Sequence, residues 1–235
     1  MSRLVANVDL DLLRVAPGDE LVDVGCGEGA LAALLADAGA VVTGVEPAAY
    51  LRERFERRAA GRPGLRVVDG VAERLPFPDG SVGAAVITEV LEHVADPDAA
   101  MRELHRVLAP AGIVCLSVPT ARTELLYWRL HPGYAANATH LRIFTRPELR
   151  RMVAAAGFEI VAWQGRNFRP AVSWVFHALL RSPSDHAGVV LGHRWVDRGL
   201  DVVWHGLDVL GAGGLADRLG NRVWPKSWYV YARRA

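Results

Sequence analysis

Lysine is almost missing from this chain, cysteine is scarce, and no apolar run is long enough to cross a bilayer. Of 27 basic residues only Lys226 is lysine. The arginines are scattered over the whole length, which points to a GC-rich coding sequence and to no particular partner. The two cysteines, Cys26 and Cys115, have no second Cys or His within the few residues that separate paired zinc ligands. No metal is expected, and a reduced, cytoplasmic chain fits. Uninterrupted apolar stretches fall short of the roughly eighteen residues a spanning helix needs. Met1 to Val15 carries Asp9 and Asp11 inside its apolar stretch, so it does not read as a signal peptide. Surplus charge is missing too. With 27 basic against 26 acidic residues the net charge is +1, which supplies no field for the phosphate neutralisation that dominates nucleic-acid affinity. No nucleic-acid partner and no transmembrane segment are expected; peripheral membrane contact stays open.

What is present suits a globular enzyme-sized domain. At 51% hydrophobic and 23% charged over 235 residues, the chain can bury a proper core as one large domain carrying an insertion. From residue 20 to 118, short β-rich runs alternate with helical patterns. Glu20 to Val24, Val41 to Val45, Leu65 to Asp69, Val82 to Thr88 and Ile113 to Val118 read as strands; Gly29 to Gly39, Pro47 to Ala60 and Asp96 to Ala109 read as helices. Such alternation implies a parallel sheet. Thr120 to Phe144 reads as a loop rich in aromatics and histidines. A helix follows from Thr145, with Glu148 completing a capping box, to Ala156, closed by Gly157. Phe158 to Gln164 and Ser227 to Ala235 read as the last two strands.

Between them lies an insertion of about sixty residues, roughly Gly165 to Lys226, holding four of the seven tryptophans. In Arg194 to Leu210 the apolar set Trp195, Val196, Leu200, Val203, Trp204, Leu207 and Leu210 has helical spacing, with Asp197, Asp201 and Asp208 opposite. An anionic membrane would repel that acidic stripe, so a cap over an active site or a homodimer contact is favoured over membrane docking.

The strongest motif is Leu21-Val-Asp-Val-Gly-Cys-Gly-Glu-Gly29, a strand running into a glycine turn that opens a helix. Gly25, Gly27 and Ala30 also satisfy the dinucleotide pattern, and Glu46, at the end of the second strand, suits ribose hydroxyls in either reading. Charge separates the two. A dinucleotide would bring an anionic pyrophosphate beside Asp23 and Glu28, whereas a cationic sulfonium with an α-ammonium would be welcomed there.

The motifs Val-Asp-Val-Gly-Cys-Gly-Glu-Gly (22–29), Val-Glu-Pro (45–47), Ala-Glu-Arg-Leu-Pro-Phe-Pro-Asp-Gly-Ser (72–81), Glu-Val-Leu-Glu-His-Val (89–94) and Arg-Val-Leu-Ala-Pro-Ala-Gly (106–112) together resemble the class I S-adenosylmethionine-dependent methyltransferases, in particular the ubiquinone and menaquinone biosynthesis group. The resemblance covers about residues 18–165. It implies an α/β fold, a Rossmann-like seven-stranded, mostly parallel sheet with helices on both faces, here carrying a largely helical Trp-rich insertion between the last two strands. The whole chain, 1–235, would be a single domain with its core at about 15–164 and 227–235 and its cap at about 165–226. It further implies that S-adenosyl-L-methionine is the cofactor. Asp23, Gly25 and Gly27, with Cys26 among them, would hold the methionine half, Glu46 and Pro47 the ribose side, Ala72 and Glu73 the adenine edge, and Glu89 the wall beyond the fourth strand. Val71 departs from the family's usual Asp, which would shift adenine recognition to Asp69 and the backbone. Gly83 and Ala111 depart from the pattern in ways that look structural.

Methyl transfer from a sulfonium is an in-line displacement, so positioning and exclusion of water dominate. A hydroxyl acceptor gains from a nearby base, most often histidine. His140 and His93 are the catalytic candidates, with His131 also in reach, against the alternative of loop-capping or surface histidines. Tyr127, Trp128 and Tyr134 form either an acceptor wall or an anchor of the loop to the core. The expected acceptor is a small molecule, a hydroxyl on a bulky glycoside, polyketide or quinone-type compound. The alternatives are a carbon or nitrogen methyltransferase on the same core, or a protein that binds S-adenosylmethionine without catalysis.

Overall fold

The computed structural model describes residues 3–130, 140–180 and 194–235. His131, Tyr134, His186 and His193 lie outside these. The chain forms two compact units. One comprises Met1–Val118, Arg146–Trp163 and Tyr229–Ala235; the other comprises Pro119–Thr145 and Gln164–Trp228. The insertion expected at 165–226 thus falls in a second unit that also takes in the segment after the fifth long strand.

A two-residue hairpin, β1 (Leu4–Val5) and β2 (Val8–Asp9), opens the chain. It turns through Ala6 and Asn7, both at positive φ, as tight hairpin turns require. The sheet proper runs through β3 (Glu20–Val24), β4 (Val41–Val45), β5 (Leu65–Val68), β6 (Val82–Thr88), β7 (Leu108–Pro119), β8 (Phe158–Arg166) and β9 (Ser227–Arg234) in the order β5-β4-β3-β6-β7-β9-β8. The pairs β3·β4, β3·β6, β4·β5 and β6·β7 are parallel. β3 and β6 neighbour each other although β4 and β5 intervene in sequence, so the strand order reverses beside β3. In an open α/β sheet, ligands bind at the carboxyl ends of strands flanking that reversal.

The helices between these strands are α1 (Ala30–Asp37), α2 (Ala49–Ala59) and α3 (Pro97–Val107), followed later by α5 (Arg146–Ala155). Asp96 caps α3 by accepting the Ala99 N–H at 2.9 Å, with Pro97 at the first helical position, as a missing N–H there costs nothing. The fifth strand begins five residues earlier than its apolar run suggests. Helix α3 stops at Val107, and the chain is already extended at Leu108. Ala111 takes a left-handed φ of 62° in this strand, and Gly112 has no room for a Cβ between the Ala109 and Gly83 carbonyls. Gly83, one of the two positions that depart from the family pattern, thus lies against Gly112, the residue after the other.

Two of the motifs prove to be one clamp. Arg106 donates to the carbonyls of Phe77 and Leu75 at 3.0 and 3.2 Å and to both oxygens of Glu103, and it also pairs with Asp79. Glu103 in turn accepts the Leu75 N–H at 2.8 Å. Helix α3 thereby holds the irregular segment that follows Ala72 and Glu73. Replacing Arg106 by Ala leaves Glu103 and two carbonyls short of donors, and should lower stability by about 2–3 kcal/mol. Urea unfolding measures this, and a loss below about 0.5 kcal/mol would reject the clamp.

In the second unit, the segment expected as a loop begins with a helix, α4 (Ala121–Leu130). Its signal was hidden because the buried face carries Thr123, Glu124 and Tyr127, two of which are polar, so the apolar period fails. Thr120 starts the helix, and both Thr120 and Thr123 hydroxyls donate to the Pro225 carbonyl at 3.0 Å. Three further helices follow: α6 (Phe168–Leu179), α7 (Arg194–Val209) and α8 (Gly213–Val223). Gly220 is where Phe168 packs, since a Cβ there would meet its ring at 2.1 Å. None of the described helices is long and apolar enough to cross a membrane.

Helix α7 corrects one expectation about the insertion. Asp197, Asp201 and Asp208 face a cleft of about 520 Å³ shared with Arg169, Trp174 and Trp204. Arg169 binds Asp208 with both terminal nitrogens at 2.9 and 2.7 Å and reaches Asp217 at 2.8 Å. Asp197 lies 2.9 Å from His177. Asp197 and Asp208 thus carry cationic partners while staying about half-exposed, Leu200 and Trp204 share their cleft, and Val202, Val203 and Val209 meet solvent on the other side of α7.

Candidate functional site

At the carboxyl ends of β3, β4 and β6 lies a cavity of about 430 Å³ in the first unit. Gly25 and Gly27 form its rim at φ 70° and 55°, a backbone conformation that side chains with a Cβ resist. They serve different ends. A Cβ on Gly25 would sit 2.5 Å from Val90, whereas one on Gly27 would meet nothing within 4 Å. Gly25 is glycine for packing, and Gly27 leaves open space at the cavity.

Glu46 closes β4 and ties this turn down. Its Oε2 accepts the Gly27 N–H at 3.0 Å and its Oε1 the Ala48 N–H at 2.9 Å. Arg52, which the sequence reading overlooked, locks the same corner by donating to the carbonyls of Glu46 and Pro47 at 2.8 and 2.6 Å. Its signal was an arginine in the first turn of α2, close enough to reach back to the strand end. Beyond β6, Glu89 holds a left-handed φ of 54° and accepts a hydrogen bond from the Ser117 hydroxyl at 3.0 Å. Strained non-glycine backbone of this kind persists where neighbours over-determine it, and it clusters at functional sites.

Asp23 carries the unusual electrostatics. It is 2% exposed, and among the described residues its Oδ2 has no hydrogen-bond partner. Burial, and then the nearby charge of Glu46, push its carboxyl up to about 7. Cys26 is pushed up as well, by burial first and then by Asp23 and Glu46. A buried carboxylate without a partner is costly, and a cation beside it would remove the cost. The cavity lining agrees: it holds Glu46, Glu73 and Glu89 and no Arg or Lys. A diphosphate would meet three carboxylates there, while a sulfonium with an ammonium group would meet opposite charge. The residues present fit S-adenosylmethionine.

Of the residues singled out from sequence, Gly25, Gly27, Glu46, Pro47, Ala72, Glu73, Glu89 and His93 line this one cavity. Three do not. Asp23 lies buried beneath the lining. Cys26 turns its sulfur toward Gly44, where an added Cβ would meet it at 2.5 Å. Asp69 points into solvent and pairs with Arg52 at 2.9 Å, which opposes its expected role at the adenine. Glu28 also leaves the site, lying 3.8 Å from Arg58. The lining gains Leu51, Val71, Val90 and Val94, an apolar surface for a flat ring. Val71 stands there as a wall, not as an acceptor.

His140 belongs to the second unit. Its Nδ1 lies 2.8 Å from Glu124 Oε1, and the Glu124 side chain is 1% exposed. The same oxygen accepts the Trp128 indole N–H at 2.8 Å. A buried carboxylate that fixes one ring nitrogen sets the tautomer and orientation of the other. Tyr127 and Trp174 stack at 4.9 Å between ring centres, so Tyr127 serves the interior of this unit, the anchoring alternative.

Comparison with known proteins agrees with the geometry. A family described as a methyltransferase domain matches residues 3–162. A ubiquinone/menaquinone biosynthesis C-methyltransferase of Rubrivivax gelatinosus is 32% identical over 175 residues, covering 64% of this chain and 67% of that protein. A ubiquinone biosynthesis O-methyltransferase of Idiomarina loihiensis is 32% identical over 172 residues, 67% of this chain and 69% of that protein. Among solved structures, a [4+2]-cyclase aligns with a TM-score of 0.60 at 25% identity, covering 96% of this chain and 77% of that one. The chain spans about half the length of several curated relatives and as little as 35% of one.

Proposed function

Because the chain belongs to the class I S-adenosylmethionine-dependent methyltransferases, we propose that it moves the methyl group of S-adenosylmethionine to a hydroxyl of a bulky small molecule of glycoside, polyketide or quinone type. The observation that carries the cofactor half of this reading is Asp23, a buried carboxylate with an unpartnered oxygen beneath a cavity whose charged lining is entirely acidic. Gly25 and Gly27 would let the methionine portion approach the backbone, Glu46 would offer its remaining lone pairs to the ribose, and Val71, Leu51 and Val94 would flank the adenine. The cofactor supplies an electrophilic methyl carbon when bound; the chain's task is to orient the acceptor, exclude water and take up its proton.

For that proton we assign His140 as the base, oriented by Glu124, with His93 on the cavity wall as the alternative. Support for oxygen as the methylated atom is the histidine–carboxylate pair itself, since a carbon or amine acceptor has less need of a base. Labelled S-adenosylmethionine with a panel of phenolic and sugar acceptors tests the reading. His140→Ala should lower kcat by about a hundredfold or more with cofactor affinity unchanged, and His93→Ala should have the smaller effect. The reverse ranking would move the role to His93, and loss in neither variant would favour carbon or nitrogen chemistry.

The likeness to a solved [4+2]-cyclase favours a second reading, in which the cofactor is bound and not consumed. That reading expects tight S-adenosylmethionine binding with no label transferred to any acceptor.

A further inference from the structure

The second unit leaves apolar side chains in solvent on consecutive helices. Along α7 and at the residue after it, Val202, Val203, Val209 and Leu210 are 72%, 55%, 71% and 80% exposed, and along α8, Leu215, Leu219 and Val223 are 53%, 55% and 64% exposed. Their spacing places them on one side of each helix. On α7 this is the side opposite the cleft that takes Asp197, Asp201 and Asp208; on α8 it is the side opposite the buried Gly213 and Gly220. Exposed apolar surface of this extent marks a contact site.

Charge identifies what it contacts. Among these leucines and valines stand Arg198, Arg218 and Arg222, all exposed. The acids of α7 and α8 stay partly exposed but lie toward the cleft or carry cationic partners. Asp208 and Asp217 are held by Arg169, Asp197 by His177, Glu124 is buried against His140, and Asp201 lies in the cleft. Counted over its sequence, the second unit carries eleven basic and six acidic residues, a net of +5 in a chain whose total is +1. A helix face that alternates Leu with Arg, such as Leu215, Arg218, Leu219, Arg222 and Val223, can bury its apolar side chains at a lipid interface while the arginines reach the headgroups. A second copy of the same face would set arginine against arginine.

We propose that α7 and α8 dock this protein peripherally on an anionic lipid bilayer. The apolar side chains supply the insertion, and Arg198, Arg218 and Arg222 supply the attraction to the headgroups. The surface reads independently of methyl transfer, because none of these residues lines the cofactor cavity.

Flotation of the full chain with phosphatidylcholine vesicles, with and without phosphatidylglycerol, tests this. The protein should float with the anionic vesicles, float weakly with the neutral ones, and be released from the anionic ones by high salt. Arg218→Ala with Arg222→Ala should lower partitioning roughly thirtyfold, at about a tenfold change per 1.4 kcal/mol and about 1 kcal/mol per arginine. Leu215→Glu with Leu219→Glu should abolish it, with the melting curve and the S-adenosylmethionine titration unchanged to show that both units stay folded. Equal flotation with both vesicle types, binding indifferent to these substitutions, or a concentration-dependent dimer lost in Leu219→Glu without vesicle binding would overturn the proposal.

Discussion

An Asp23→Asn variant is expected to bind S-adenosylmethionine on the order of a hundredfold more weakly while melting no lower than the parent. The two effects have one cause. In the ligand-free protein the Asp23 carboxyl is buried, lies near Glu46 and titrates at about 7. A cation can use it only in its ionised form, so below that pH binding must release a proton, and affinity falls as the pH drops. Between about pH 8 and about pH 6 the loss is about tenfold for one coupled proton. In Asp23→Asn this dependence should vanish. Stability has the opposite sign. The folded-state value lies above the unfolded value of 3.8, so the stability this group contributes is complete below about pH 4 and is lost as the pH rises through 7. Asparagine avoids that loss, whose upper limit is about 4 kcal/mol; its gain should grow from about pH 4 to about pH 7 and then level off. Calorimetric titration and thermal melts at several pH values measure both. An unchanged affinity with an unchanged pH profile would remove Asp23 from the site and with it the argument from charge.

The second large effect separates two glycines that look alike in the motif. Gly25→Ala combines a left-handed φ, which costs a residue with a Cβ about 1–2 kcal/mol, with a Cβ 2.5 Å from the branched Val90 side chain, where overpacking adds about 1–3 kcal/mol. It should destabilise the fold by about 2–5 kcal/mol and obscure any binding defect. Gly27→Ala faces the same kind of φ penalty but has open space around the new methyl. Its fold should survive a loss of about 1–2 kcal/mol, and its cofactor affinity should fall by tenfold or more because the methyl occupies the cradle. Denaturant unfolding paired with titration distinguishes them. A Gly27→Ala protein that binds like the parent would show that no ligand approaches this turn closely.

How far the sequence could be read depended on whether a position's role is local. Strands β3, β4 and β6 were legible to the residue, because buried parallel strands are short apolar runs bounded by turn residues. The glycine turn and Glu46 were legible because their spacing within one crossover unit is set by chain geometry. Helix α4 was not, since its buried face is Thr123, Glu124 and Tyr127. The place of Asp69 was not legible for a related reason. A carboxylate at a strand end serves a ligand or a neighbouring arginine with equal ease, and only the position of Arg52 tells which.

The same division runs through the whole protein. Sequence alone determined the parallel sheet, the cofactor turn and the cationic character of its ligand, because hydrophobic period, glycine and charge act over a few neighbouring residues. Tertiary structure decided that a buried Asp23 oxygen is left unpartnered among the described residues, that Arg106 joins two distant motifs, that Glu124 orients His140, and that the acids of α7 lie along a cleft with cationic partners while valine and arginine stand on its other side. Those outcomes depend on groups many residues apart meeting at hydrogen-bond distance, and the energy of such a meeting is set by burial and orientation that no linear spacing encodes.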